Sequence, residues 1–361
     1  MAKRSQEKQG SKEVAAPDVS ALISDAEKKQ AEDKLSGRIR RLEVELAAER
    51  TKAKRLLDEM NHMNERIELA EATYDTSREY VISGSAKGKG SSCTAIVMLS
   101  DLHLEEKVDP DVCMGNKYDL QIASRRNDRV INTMVDVLTA NRQFYPWKDL
   151  VVWLGGDMIS GAIHEELEAT NFAGPAEAIL FAQDMMLANI AKLRESLNPG
   201  KITIICNMGN HGRTTHRKRF ADGYNHSWEW LAYHNMARLF LQDKKVEFII
   251  AKGALVEVSI ETIPIRFTHG DDIKFAGGVG GVYIPLMKKL ANWDRRWKAH
   301  KTILGHYHQH FHISQAIMNG CLIGPNAYSI AGGFDAQRPS QTVAIVDSHR
   351  GFIDVTQIFA E

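Results

Sequence analysis

Three short runs rich in β-branched residues constrain the fold of this chain most: "TAIVMLS" at 94–100, "DLVVWLGG" at 149–156 and "KITIICNMG" at 201–209. Each is apolar and bounded by polar or glycine-containing turns, the pattern of a strand buried on both faces. Helical patterns lie between and after them, near 122–141, 175–197 and 226–241. Alternation of this kind specifies an α/β domain. From Val246 it gives way to successive strand-like runs, "VEFIIAKG", "ALVEVSIET", "IPIRFTHG", "KTILGHYH" and "QTVAIVDS", with a helix near 283–298. No internal repeat is visible.

Polar chemistry gathers just past five of these strands. Asp101 and His103 follow the first, Asp157 the second, and Asn210 and His211 the third. His269 ends "IPIRFTHG", and His306 and His308 end "KTILGHYH". Open α/β sheets bind ligands outside the carboxyl ends of their strands. Carboxylates, imidazoles and a side-chain carbonyl suit divalent cations such as manganese, iron and zinc. Each short motif is weak alone: a lone D-x-H or G-D is common, and G-N-H suits a tight turn whatever its function. The ordered set is far more specific.

The series D-x-H, G-D, G-N-H, H-G, G-H-x-H resembles the calcineurin-like metallophosphoesterase superfamily, over roughly residues 94–350. The neighbourhoods of Asp101–His103 and "ISGAIHEEL" are similar to phage- or prophage-type members. The resemblance implies a pair of β-sheets flanked by helices. It implies two divalent metal ions, manganese foremost, with iron, zinc or magnesium as alternatives. Asp101, His103, Asp157 and His308 would hold one, and Asp157 would bridge to a second held also by Asn210, His269 and His306. His211 would face the substrate, protonating the leaving oxygen or stabilising the phosphate. The reaction implied is attack on phosphorus by metal-activated hydroxide. One position departs from the pattern. Family members often carry an acidic residue directly after G-N-H that orients the histidine, whereas here Gly212 stands in its place. Asp271 and Asp272 are candidates to replace it.

Other signals are weaker. Arg213 is a candidate to fork onto a phosphate oxygen, against the alternative of a solvated loop arginine. His216, Arg217, Lys218 and Arg219 continue a basic run that either steers a nucleic-acid backbone or opens an exposed helix. His164, seven residues past Asp157, is a candidate substrate contact or an ordinary helix-start histidine. Trp228, Trp230 and Tyr233 sit at helical spacing, which favours core over base stacking. His310 and His312 are not needed as ligands. "GGVGGV" at 277–282 reads as a loop bordering the site rather than a dinucleotide fingerprint.

Ahead of this domain, taken as 93–361, residues 1–17 read as a disordered tail. Residues 18–82 read as a helical coiled coil, with seam positions Leu35, Ile39, Leu42, Leu46, Ala53, Leu56, Met60, Met63, Ile67, Ala70 and Tyr74, interrupted at Glu49. So narrow a stripe must be covered, and a second copy of the chain is the expected partner. "SGSAKGKGSS" forms a linker over 83–92. Lys plus Arg and Asp plus Glu both number 46. A net charge near zero argues against bulk attraction to nucleic acid or anionic membrane but allows a local basic patch. Cys93, Cys113, Cys206 and Cys321 show neither CxxC pairing nor dense spacing, so reduced thiols are expected. No apolar segment follows "MAKRSQEKQG" and none reaches membrane length, so a cytoplasmic location is expected. The leading function is phosphodiester hydrolysis on nucleic acid. The runner-up is a phosphomonoesterase or protein phosphatase, and a non-catalytic coiled-coil scaffold is the reading from another class.

Overall fold

A computed structural model describes residues 28, 30, 34–55, 57–58, 80–82, 92–274, 281–331 and 336–361. The chain divides into two units, Met1–Tyr74 and Asp75–Glu361. In the first, residues 34–55 form a helix, α1, and Leu35, Ile39, Leu42 and Leu46 are exposed along it. The remaining seam positions from Leu56 onward, the 1–17 tail and nearly all of the 83–92 linker lie outside the described residues.

The second unit is built on two six-stranded sheets. The first runs in the order β12-β11-β2-β3-β4-β5. Its strands are β2 (Cys93–Leu99), β3 (Asp149–Leu154), β4 (Ile202–Cys206), β5 (Val246–Ile250), β11 (Ser340–Asp347) and β12 (Gly351–Phe359). From β2 to β5 they are parallel, and β11 and β12 add antiparallel beside β2. The second sheet runs β1-β6-β7-β8-β10-β9. It comprises β1 (Tyr80–Ile82), β6 (Leu255–Ile260), β7 (Ile263–Thr268), β8 (Lys301–Leu304), β9 (Phe311–His312) and β10 (Ala316–Met318). Tyr80–Ile82, assigned from the sequence to the end of the helical segment, is a strand paired in parallel with β6. Its residues Tyr, Val and Ile are aromatic or β-branched, which favours a pleated surface.

Alternation along the strands sets the layering. Ala95, Val97 and Leu99 of β2, with Leu150, Val152 and Leu154 of β3, face α2 (Leu120–Asn141), α4 (Pro175–Leu197) and α5 (Trp228–Leu239). Ile96, Met98, Val151, Trp153 and Ile205 turn the other way and pack against Val258, Ile265, Phe267 and Ile303 of the second sheet. The far side of that sheet is covered by Leu286 and Leu290 of α6 (Tyr283–Trp293). The order is therefore helices, sheet, sheet, helix, the two-sheet architecture expected from the motifs. Two short helices, α3 (Glu165–Thr170) and α7 (Ala327–Ala331), complete the fold. Local chemistry fixes the helix starts: Asp119 accepts from Ile122 N at 2.9 Å, Pro175 opens α4, and Ser227 accepts from Trp230 N at 3.2 Å. All four cysteines are buried thiols. No described helix is long and apolar enough to cross a membrane.

Between the sheets, the Trp153 and Phe267 rings lie 6.2 Å apart and both are fully buried. Replacing Phe267 with Ala leaves a cavity in the inter-sheet core and is expected to cost about 3–5 kcal/mol. Denaturant unfolding should show a lower midpoint with an unchanged slope.

Candidate metal centre

The loops that leave β2, β3, β4, β7 and β8 meet at one edge of the two sheets. Their register is held by backbone bonds between loops: Asp101 N donates to Gly156 O at 3.0 Å, Leu102 N to Asp157 O at 2.9 Å, and Gly305 N to His269 O at 2.9 Å. Five of the seven expected ligand residues adopt left-handed backbone: Asp101 (φ 55°), His103 (50°), Asp157 (52°), His306 (74°) and His308 (56°). Such conformations cost about 1–3 kcal/mol each and persist only where the surroundings over-determine them. Here they turn the side chains of neighbouring residues inward to a shared point.

Two groups result. Asp101, His103 and His308 offer donor atoms all within 4.8 Å of one another, and Asp157, His269 and His306 do the same. Asn210 joins the second group, its Oδ1 lying 3.1 Å from His269 Nε2. All seven residues named from the sequence as candidate ligands are thus brought together, in two groups.

Hydrogen bonds fix which ring nitrogens point inward. His269 Nδ1 lies 2.8 Å from the Gly155 carbonyl, which can only accept, so Nδ1 carries the proton and Nε2 faces Asp157 Oδ2 at 3.0 Å. His103 Nδ1 lies 2.8 Å from Ser160 Oγ, whose own proton goes to Glu106 Oε2 at 2.7 Å. His103 Nε2 is therefore a lone-pair donor, 3.1 Å from His308 Nε2. Lone pairs and carboxylate oxygens aimed at one another at contact distance repel unless a proton or a cation lies among them. This donor set, with its outer hydrogen bonds, fits divalent cations.

The electrostatics agree. Burial pushes the carboxyl of Asp101 up to about 7, with Asp157 adding to the rise and His269 opposing it. Burial also opposes charge on Asp157, yet His269 and His211 hold it well below the usual carboxylate range. Burial lowers His103 well below its ordinary value, His306 to about 3 and His308 to about 4, so all three imidazoles are neutral at neutral pH. Burial works to discharge His269 too, but the Asp157 carboxylate outweighs it and raises the imidazole to about 10. Without metal, His269 and Asp157 form a buried ion pair.

His211 stands beside the sets without joining them. Its backbone N donates to Asp157 Oδ1 at 2.8 Å, its ring centre lies 5.0 Å from that of His103, and Nδ1 sits 3.0 Å from the Ser160 carbonyl. Asp271 and Asp272, expected to orient it, instead bind Lys218 Nζ at 2.6 Å each. The orienting acceptor is a backbone carbonyl. Gly212 has its own reason: a Cβ there would come within 2.8 Å of Glu229 Cγ. Buried Glu229 accepts from Met158 N and Gly209 N, both at 2.7 Å, tying the Asp157 loop to the Asn210 loop. Burial and Asp157 raise its carboxyl to about 8. Sequence reasoning missed Glu229 because "NHSWEW" reads as aromatic core, and it missed Ser160, Glu105 and Glu106 because they belong to no metal motif.

The remaining candidates are placed as follows. His164 precedes α3 at its N-cap, its ring 6.3 Å from that of His211. Arg213 directs Nε to Thr215 O at 2.9 Å, Nη2 to His216 O at 3.1 Å and Nη1 to Asn210 O, so three of its five N–H groups brace its own loop. Arg219 pairs with Asp222, at 2.7 Å for Nε. His310 and His312 lie outside the centre, against Thr342 and Lys301. Tyr233 is core, and Trp228 and Trp230 pack on it. Most of "GGVGGV" lies outside the described residues.

No family model matches the chain, and no curated protein matches it in sequence. Among solved structures, a predicted phosphoesterase from Streptococcus pneumoniae TIGR4 is 12% identical over 74% of this chain and 90% of its own, with a TM-score of 0.28. Vps29 from Entamoeba histolytica, in a single-mutant form, is 10% identical over 73% and 98%, with a TM-score of 0.30. The sulfate thiohydrolase SoxB of Thermus thermophilus is 8% identical over 74% and 56%, also at 0.30. With scores this low, the reading of the centre rests on its own residues.

A pH dependence follows. The folded-state value of His269, about 10, lies above the ordinary 6.5, so the stability it contributes is complete below pH 6.5 and lost as pH climbs through 10. Asp101 and Glu105, both near 7, and Glu229, near 8, are raised acids, and each also loses stability as pH rises toward its folded value. Above pH 6.5 all four act in one direction. The melting temperature of metal-free protein should fall as pH rises from 6.5, and a bound divalent cation, replacing the His269 proton, should flatten that fall. A metal-free melting temperature that rose over this range would contradict the assignment.

Proposed function

We propose that the chain is a dinuclear-metal phosphoesterase acting on phosphodiesters, with nucleic acid as the substrate class. The observation that carries this reading is the pair of adjoining Asp/His sets with His211 beside them, its Nδ1 committed to a carbonyl. Asp101, His103 and His308 would hold one cation, and Asp157, Asn210, His269 and His306 the other, with Asp157 between them. Manganese is the proposed occupant, with iron, zinc and magnesium as alternatives: the carboxylates and the Asn210 carbonyl suit manganese or magnesium, and the four imidazoles suit iron or zinc. Bound there, the cations supply Lewis acidity to the phosphoryl oxygens and to water.

The chain's own residues do the rest. With Nδ1–H fixed on the Ser160 carbonyl, His211 turns Nε2 away from that anchor, and a proton on Nε2 is the one available to the leaving oxygen. Buried Asp101 and Asp157 would offset two of the four positive charges that two divalent cations bring. Of the basic run that follows Asn210, Arg213, Lys218 and Arg219 are engaged by carbonyls and carboxylates of the protein. A terminal phosphate is suited to a guanidinium or ammonium clamp, and these three are already committed, which favours a diester.

Hydrolysis of bis-p-nitrophenyl phosphate, p-nitrophenyl phosphate and labelled single- and double-stranded DNA, with manganese present, tests the reading. Activity on the monoester alone would replace it with a phosphomonoesterase. Fewer than one metal per chain after reconstitution would favour a non-catalytic scaffold. On labelled DNA, whose alkoxide leaving group needs a proton, His211→Ala is expected to keep both metals and lose roughly 10²–10⁴-fold in kcat. Wild-type turnover in that variant removes the proton-donor role.

The exposed seam Leu35, Ile39, Leu42 and Leu46 is the surface on which two copies of the chain would pair as a coiled coil. Replacing all four with Ser should shift the sedimentation of the full chain to that of a monomer.

A further inference from the structure

Two neighbouring glutamates converge on one residue of the loop after β3. Glu105 accepts from Ser160 N at 2.9 Å and from Gly161 N at 2.6 Å. Glu106 accepts from Ser160 Oγ at 2.7 Å and is held on its other oxygen by Asn326 Nδ2 at 2.8 Å. All three side chains on this path, Glu105, Glu106 and Ser160, are buried. Ser160 then contacts two histidines of different roles: its hydroxyl lies 2.8 Å from His103 Nδ1, and its carbonyl 3.0 Å from His211 Nδ1. Gly161 completes the arrangement. Its φ is +62°, and a Cβ there would come within 2.4 Å of the His211 carbonyl, so the Ser160–Gly161 backbone packs directly on the His211 backbone. Asn171 Nδ2 donates to Gly161 O at 2.9 Å, and Phe172 N donates to Glu105 O at 3.0 Å, so the end of α3 is docked on the same turn.

We propose that Ser160 is a positioning residue that sets two rings at once, through its hydroxyl for the metal ligand His103 and through its carbonyl for the proton donor His211, with Glu105 and Glu106 holding it in place. The two arms separate by chemistry. Glu106 orients the Ser160 hydroxyl and so acts on His103. Glu105 orients the Ser160–Gly161 peptide groups and so acts on His211. This division explains how His211 is oriented while Gly212 stands beside it: the acidic orienting function is carried by Glu105, acting through a backbone carbonyl. The inference rests on the phosphoesterase reading for its kinetic consequence, but not for its geometry.

The test uses full-length, manganese-loaded protein and a series of aryl phosphodiesters running from p-nitrophenyl to phenyl leaving groups. A good leaving group needs no proton, whereas a poor one does. Glu105→Gln keeps the shape of the side chain but turns a donor toward one of the loop N–H groups. It should retain both metals and KM, and stay within about threefold of wild type on the nitrophenyl ester, while losing roughly 10²-fold on the phenyl ester. His211→Ala should show the same steepened dependence. Ser160→Ala should instead weaken metal retention by roughly 10-fold or more, as loss of an outer hydrogen bond to a ligand does. Equal losses across the ester series in Glu105→Gln, or unchanged metal retention in Ser160→Ala, would overturn the proposal. If wild type hydrolyses none of the esters, the phosphoesterase reading fails and the geometry is judged by ring-nitrogen NMR. His211 should then be protonated on Nδ1 in wild type and lose that preference in Glu105→Gln, and an unchanged tautomer would overturn the proposal.

Discussion

Everything at this centre depends on backbone that only its neighbours make tolerable. Asp101, His103, Asp157, His306 and His308 are non-glycine residues in left-handed conformation, and no strand propensity favours them there. What holds them is a net of bonds from loop to loop. The carboxylate of Asp101 accepts from His306 N at 2.9 Å, and its carbonyl accepts from Leu322 N at 3.0 Å. Asp157 O accepts from Leu102 N and His103 N, at 2.9 and 3.1 Å. Each ligand-bearing loop is thus locked by another one. The strands supply the anchor points, and their rigidity comes from the inter-sheet packing around Trp153 and Phe267.

Burial then fixes the electrical character. Two aspartates within one buried pocket would repel if both were charged and unpaired. The structure resolves this with imidazoles of opposite disposition. His269 is drawn toward the charged form by Asp157, while His103, His306 and His308 are pushed toward the neutral form by burial. The result is one ion pair and three neutral donors poised around two points. Outer bonds from the Gly155 carbonyl and Ser160 hydroxyl then decide which nitrogen faces inward.

The sequence carried the larger part of this. Strand runs followed by Asp, His and Asn single out all seven residues that the fold brings together in the two groups, because a buried parallel strand and a polar residue after it are both local signals. What it hid was non-local. Glu229 lies 20 residues past Gly209, on a helix whose apolar spacing masked it. Ser160 carries no motif, and its importance comes from a carbonyl, which every residue has. The basic run from Arg213 to Arg219 reads in sequence as either a surface for a nucleic-acid backbone or the start of an exposed helix. Its charges are largely engaged by Asp271, Asp272, Asp222 and backbone carbonyls, partners that spacing alone does not reveal. Tyr80–Ile82 was absorbed into a helical pattern because three residues are too few to display a period of their own.

That short strand has a consequence for how the domain behaves as a material. β1 covers the outer edge of β6, pairing Tyr80 with Val258 and Ile82 with Ile260. An uncovered edge strand presents a row of unsatisfied N–H and C=O groups to any other chain. Shortening the chain to begin at Cys93, the boundary that composition suggests, would keep the two Asp/His groups and Asn210 but strip that cover. With β1 in place, a three-residue strand stands at this edge of the sheet instead of the six-residue β6, and a short edge strand is a poorer template for pairing with another copy.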